Sequence, residues 1–166
     1  MAEDWFVTNL ADAEWLTTEG GEKRPSGSET TFGADFEQVG VRIHVLPPGE
    51  PNGCYHSESQ QEDFLVLSGE CILIVEGEER RLKQWDFFHS PAGTEHIFVG
   101  AGDGPCAIFM CGSKTGEWTV RFPVSDIAAK YGASVESEVT SPDEAYADWQ
   151  WSRSGKPSCW ADLPWA

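Results

Sequence analysis

Residues Tyr55 to Gly69 read YHSESQQEDFLVLSG, and residues Trp85 to Gly100 read WDFFHSPAGTEHIFVG. Each joins polar side chains able to bind a metal to a short apolar run that ends in glycine. In the first, His56, Glu58 and Glu62 are separated by even steps. Even steps in an extended chain place side chains on one face. In the second, His96 follows a Pro91–Gly93 turn and opens the apolar run Ile97–Val99. If that run pairs beside the first segment, His96 joins the other three donors. Neutral imidazole with carboxylate suits iron, manganese, nickel or zinc. Two carboxylates would also cancel the charge of a divalent ion.

Outward from these segments the pattern is that of an all-β chain. Val39, Val41, Ile43 and Val45 alternate with Gly40, Arg42 and His44, and Pro47-Pro48-Gly49 ends the run; period two is a strand. Phe64–Leu67 and Cys71–Val75 are two further strands, and Glu76-Gly77 reads as a tight hairpin turn, because glycine tolerates positive φ. A return strand is predicted from Arg80 to Phe88, with others at His96–Val99, Ala107–Met110 and Trp118–Phe122. Short apolar runs between turn signals predict a sandwich or barrel. This core spans about residues 37–122, with an extension at 1–36 and a tail at 123–166 in a single domain. Glu19–Thr30 is read as a polar loop. The tail carries two short helices, one capped by Ser125 and stopped at Gly132, one opened by Ser141-Pro142. Trp149, Trp151, Trp160 and Trp165 follow and are expected to pack on the barrel, or to form a lid or an exchanged arm.

Twenty-eight acidic residues against 11 basic ones give a formal net charge of −17. That field repels nucleic-acid phosphates and anionic lipid, so neither partner is expected. No apolar run is long enough to span a bilayer, and MAEDWFVTNLADAEW lacks the apolar core of a signal peptide. The five cysteines are odd in number and show no C-x-x-C spacing. Reduced thiols and a cytoplasmic location are the expectation.

The two opening segments resemble the paired motifs of the cupin superfamily, H-x-H-x₃₋₄-E-x₆-G and G-x₅-P-x-G-x₂-H-x₃-N. His56, Glu62 and Gly69 match the first, and Pro91, Gly93 and His96 match the second. The resemblance covers about Val39 to Gly112. It implies a double-stranded β-helix (jelly-roll) barrel with short C-terminal helices and one metal ion held inside by His56, Glu62 and His96. Three positions depart from the pattern: Glu58 stands where the second His belongs, Trp85 where the first Gly belongs, and Gly100 where the Asn belongs. Glu58 makes a fourth candidate ligand that is a carboxylate.

Around these ligands Arg42, His44 and Phe64 are candidate cavity-lining residues. Arg42 and His44 share a strand face, and period alone does not say which face is inside. His89 reads as a packed strand residue rather than a ligand. Glu62 and Asp63 are neighbours in a strand, so they point to opposite faces and cannot act as a pair. Two functions follow. One is a metal-dependent enzyme acting on a small organic molecule as a dioxygenase, isomerase or lyase. The other is a non-catalytic module binding a sugar-like small molecule without metal. A sugar-phosphate isomerase is disfavoured, since Arg42 is the only obvious phosphate partner. Both strand faces look apolar, Leu65 and Leu67 opposing Phe64 and Val66, and uncovered apolar faces aggregate. The expected cover is a second subunit, making a homodimer, or the tail.

Overall fold

The computed structural model describes residues 5–18, 27–33, 36–149 and 154–166; Trp151 lies outside them. In chain order the strands are β1 (Leu16–Thr18), β2 (Gly27–Thr30), β3 (Val39–Leu46), β4 (Ser57–Glu58), β5 (Glu62–Ser68), β6 (Glu70–Val75), β7 (Glu78–Lys83), β8 (Phe87–Ser90), β9 (His96–Ala101), β10 (Cys106–Ser113) and β11 (Val120–Arg121). The helices are α1 (Asp126–Ala129) and α2 (Pro142–Ala145), followed by a 3₁₀ turn at Trp160–Asp162. One antiparallel sheet runs β1-β2-β3-β10-β5-β8, a second runs β7-β6-β9, and β11-β4 form a short pair. An antiparallel bridge between His56 and His96 links this short pair to the edge of the second sheet. No helix among the described residues is long and apolar enough to cross a membrane.

Alternation along each strand decides what fills the space between the sheets. Leu46, Phe64, Val66, Cys71, Leu73, Phe98, Cys106, Ile108 and Met110 form the inner core, and burying each large apolar side chain contributes about 1.5–3 kcal/mol. The register ranks them. Ile108 pairs with His44 and Val66, Met110 with Arg42 and Phe64, and Gly112 with Gly40 and Glu62. The inward rows therefore pass from aliphatic at one end to polar at the other. One end of the barrel is plugged, and the other is left open with Glu62, Arg42 and His96 on its walls.

Both outer faces are covered from within the chain. Ile43, Val45 and Ala107 pack beneath Trp15, Leu163, Trp160 and Trp165. Ile74, Ile97 and Val99 pack against Tyr55, Ala128 and Ala133. Ser125 caps α1, its Oγ accepting from Ala128 N at 3.2 Å.

Three local expectations are corrected. The predicted loop over Glu19–Thr30 contains β2, which pairs Ser28 with Val45 and Glu29 with His44; a four-residue strand of Gly, Ser, Glu and Thr carries no apolar alternation to announce it. The predicted return strand Arg80–Phe88 is two strands. The chain turns between them, with Trp85 at φ 75° and its N–H donating to Val66 O at 2.8 Å. A tryptophan thus holds a left-handed backbone at the position where the motif carries glycine. His89 is exposed rather than packed, with Nδ1 2.7 Å from Asp63 Oδ1 on the outer face.

Two glycines are fixed by close backbone approach. A Cβ on Gly69 (φ +74°) would lie 2.3 Å from Pro105 O, and one on Gly100 would lie 2.1 Å from Pro47 O. Gly100 is the position where the motif carries Asn, and here the backbone of Leu46 and Pro47 occupies the room a side chain would need.

Candidate metal centre

His56 and His96 sit opposite each other across the bridge. His56 N donates to His96 O at 3.2 Å, and His96 N donates to His56 O at 2.8 Å. Directly paired residues in an antiparallel ladder project to the same face, so both rings enter the open end, their centroids 5.1 Å apart. Glu62 enters from β5 in the facing sheet. One donor atom each from His56, Glu62 and His96 lies within 4.8 Å of the other two, and His96 Nε2 is 3.4 Å from Glu62 Oε2. This separation is close to the span of two metal bonds of about 2.1 Å.

Both imidazoles are oriented by carbonyls. His56 Nδ1 is 2.8 Å from Cys54 O, and His96 Nδ1 is 3.1 Å from Thr94 O with Ser90 Oγ at 3.4 Å. A carbonyl only accepts, so each Nδ1 carries the proton and each Nε2 presents its lone pair to the cavity. Burial favours that neutral form. His96 lies edge-on to Phe64, Phe88 and Phe98; desolvation, then the neighbouring His56, holds it down to about 3. Desolvation likewise lowers His56, against its Cys54 hydrogen bond and the charge of Glu58. Glu62 is pushed up to about 8 by burial and by Glu58, with Arg42 pulling the other way. Two neutral imidazoles and a carboxylate that is costly to charge without a cation fit a hard or borderline divalent ion.

Glu58 does not converge with these three. Its Oε1 is 3.9 Å from His56 Nε2, while Oε2 accepts from Trp118 Nε1 at 2.8 Å. The chain bends at Ser59 and Gln60 between β4 and β5, so Glu62 reaches the cavity from a separate strand and not along the one that carries Glu58. Arg42, His44 and Phe64 all line the cavity of about 740 Å³, and Lys114 and Trp118 join them at its mouth. On that wall His44 Nε2 lies 2.9 Å from Glu29 Oε2 and Arg42 Nη1 lies 3.4 Å from the same oxygen. The His44 contact is close but off-axis, without hydrogen-bond alignment at Nε2. Burial would raise Glu29, but His44 and Arg42 outweigh it and hold the carboxyl at about 2.

Sequence reasoning missed the support behind His56. Tyr146 Oη accepts from Cys54 N at 3.2 Å, the residue whose carbonyl fixes the His56 ring. Cys54 Sγ reaches Ala145 O at 3.7 Å, and Tyr55 N donates to Ala133 O at 2.7 Å. The C-terminal segment thus braces the ligand-bearing turn. The capping signal at Ser141-Pro142 locates this helix, but nothing in the sequence pairs it with Cys54.

Residues 42–112 match the cupin domain family. None of the curated proteins matches the chain. Among solved structures it is similar to a sugar phosphate isomerase from a cupin superfamily of Silicibacter pomeroyi, at 22% identity and TM-score 0.63, covering 87% of this chain and 90% of that one. An RmlC-like cupin from Shewanella frigidimarina matches at 18% identity and TM-score 0.55, over 70% and 97%. The polyketide cyclase RemF from Streptomyces resistomycificus matches at 15% and 0.53, over 66% and 79%. Likeness at these identities is likeness of fold. The matched span contains both ligand-bearing motifs and the strands that carry Glu62 and His96, so the cupin match covers the candidate site itself, and the chain shares the cupin fold.

Proposed function

We propose that His56, Glu62 and His96 hold one divalent iron, manganese, nickel or zinc ion, and that the protein uses it as an enzyme on a small organic molecule. The observation that supports this most directly is the pair of Nδ1–carbonyl contacts, which leaves two Nε2 lone pairs facing Glu62 inside one cavity. A cavity of about 740 Å³ is of the size that takes small ligands. When bound, such an ion polarises a carbonyl or hydroxyl oxygen as a Lewis acid. The chain's own residues do the rest. Phe64, Phe88, Phe98 and Phe122 keep water from the ligand rings, and Glu58 stands on the cavity wall as a carboxylate able to move a proton to or from a bound molecule. Isomerase, lyase and dioxygenase chemistry share these parts, and the fold does not choose among them.

The same proposal includes a homodimer in a reducing compartment such as the cytoplasm. All five cysteines are free thiols. At the edge strand β8, Phe87 is 63% exposed and the preceding Trp85 is 67% exposed, the kind of edge that a second copy covers.

Metal content of purified, reloaded protein tests the central claim. About one ion per chain in the parent, from a single ligand set, and none in His96→Ala is the expected result. Equal uptake by both proteins would overturn it, and no uptake by the parent would leave a metal-free binding module.

A further inference from the structure

One wall of the cavity is apolar from its mouth to the ligand rings. Trp118, Val120 and Phe122 alternate with Thr119 and Arg121, and the three apolar residues line the cavity. Residues two apart in an extended chain project to the same side, so β11 and the residues just before it lay down a stripe. Ser59 fixes its position. The Ser59 N–H donates to Thr119 O at 2.9 Å, and its Oγ accepts from Thr119 N at 2.8 Å and donates to Glu117 O at 3.1 Å. The stripe begins at Trp118, half in solvent, and ends at Phe122, whose ring centroid is 5.7 Å from that of His56. The facing sheet supplies a second apolar wall. Phe64 and Met110 are paired across β5 and β10, both line the cavity, and Phe64 lies edge-on to His96 at 5.1 Å. Each imidazole therefore has an aromatic ring beside it, one from each wall. Phe36 lines the same cavity with the Phe6 ring 6.5 Å away.

The charged groups of the cavity are answered within the chain. Arg42 Nη1 meets Glu29 Oε2 at 3.4 Å, and Lys114 is engaged as well. Glu58 Oε2 accepts the Trp118 indole N–H, and Glu62 belongs to the ligand set. A charged group on the body of a ligand would meet charges that are already matched, and it would still lose its own hydration.

We infer that the cavity takes an aromatic molecule bearing a hydroxyl or carbonyl oxygen. Its ring lies between the Trp118–Phe122 stripe and the Phe64–Met110 wall, and its oxygen is directed at His56, Glu62 and His96. Trp118 is the residue that selects for the ring at the mouth. The inference rests on reading the cavity as a ligand site, and it names the substrate class. A sugar or sugar phosphate would set its hydroxyls against two apolar walls and leave them unpaired.

Calorimetric titration of the full chain tests it, metal-free and again after loading with Mn²⁺, using 2-naphthol, ribose and ribose 5-phosphate as probes. 2-Naphthol should bind at least about tenfold more tightly than either sugar, because it buries apolar surface that they lack. Trp118→Ala should weaken 2-naphthol roughly tenfold, while Trp118→Phe, which keeps a ring and loses the N–H to Glu58, should stay within about threefold of the parent. Val120→Thr, which sets a hydroxyl in the stripe, should weaken it several-fold and serves if Trp118→Ala does not fold. The inference is overturned if either sugar binds as tightly as 2-naphthol, or if 2-naphthol does not bind at millimolar concentration. It is also overturned if folded Trp118→Ala and Val120→Thr bind as the parent does, or if Trp118→Phe loses as much as Trp118→Ala, which would assign the effect to the Glu58 hydrogen bond. Trp118-dependent 2-naphthol binding in a chain that takes up no Mn²⁺ would keep this inference and remove the metal. Mn²⁺ uptake without 2-naphthol binding would do the reverse.

Discussion

His56 and His96 exchange both of their backbone hydrogen bonds with each other. The ladder itself therefore delivers the two imidazoles to one face, whatever their side chains do. The ligand set should form in the folded chain before any ion arrives. Saturating metal should then stabilise the barrel by mass action, by about 4 kcal/mol at a free concentration 1,000 times Kd. Chemical unfolding with metal and with chelator measures the difference. His96→Ala should remain folded through the backbone bridge and lose the metal-dependent increment.

The brace behind His56 gives a second expectation. Tyr146→Phe deprives Cys54 N–H of its acceptor, and an unmet buried donor costs about 1–3 kcal/mol. Loosening a ligand's outer support typically weakens metal affinity about 10–100-fold. A chelator-competition assay should show that loss with metal stoichiometry intact. Tyr131→Phe, whose hydroxyl reaches Glu79 at an exposed site, should change neither quantity.

Glu58 divides its oxygens between His56 and Trp118. Glu58→Gln keeps an acceptor for the indole N–H and should leave metal content unchanged. Loss of metal in that variant would make Glu58 a fourth ligand. Glu58→His, which supplies the histidine of the family motif, should then shift preference toward later, softer metals.

Glu29 sets an acid limit on stability. Its carboxyl is held at about 2 against an ordinary 4.5, and its side chain is 14% exposed. A depressed carboxyl stabilises the fold above the unfolded value, and the effect is lost as pH falls through the folded value. At 1.36 kcal/mol per unit the contribution is about 3 kcal/mol. The stability gap between parent and Glu29→Gln in urea should shrink as pH falls below 4.5.

Much of the fold could be read from turn chemistry and alternation. Glu76 and Gly77 both take positive φ, as the hairpin reading required. What stayed hidden depends on pairing between distant segments. Period two shows that Arg42 and His44 share a face, but only the register against Met110 and Ile108 turns that face inward. Lys114 sits in a polar loop whose sequence says nothing of the cavity it borders, Trp118 reads as the start of a strand that begins only at Val120, and β2 is too short and polar to stand out. The convergence of His56, Glu62 and His96 was legible because two separate motifs carry it. Glu58 shares the cavity with His56, as its even step predicts, but the Trp118 indole that donates to its Oε2 comes from a distant segment no spacing announces.

Trp85 joins a backbone conformation suited to glycine with a ring that is largely in solvent. A non-glycine residue in the left-handed region costs roughly 1–2 kcal/mol, partly offset in Trp85→Gly by the greater entropy of the unfolded glycine. The variant should be as stable as the parent or up to about 1 kcal/mol more stable when monomeric. If β8 forms the dimer edge, the same change should weaken association. Light scattering over a wide concentration range, with thermal unfolding alongside, reads both effects.

Trp15 from the N-terminal segment lies nearly parallel to Trp165 from the C-terminus, ring centroids 6.2 Å apart and planes at 15°, with Trp160 edge-on at 5.7 Å. Indoles this close couple their excited states, so the native protein should carry an exciton signature in circular dichroism that belongs to this cluster. The cluster lies on the outer face of the larger sheet, while the ligand residues face the interior. The chain thus contains its own optical gauge of whether its two ends are docked, one that can be followed while metal is titrated into the cavity.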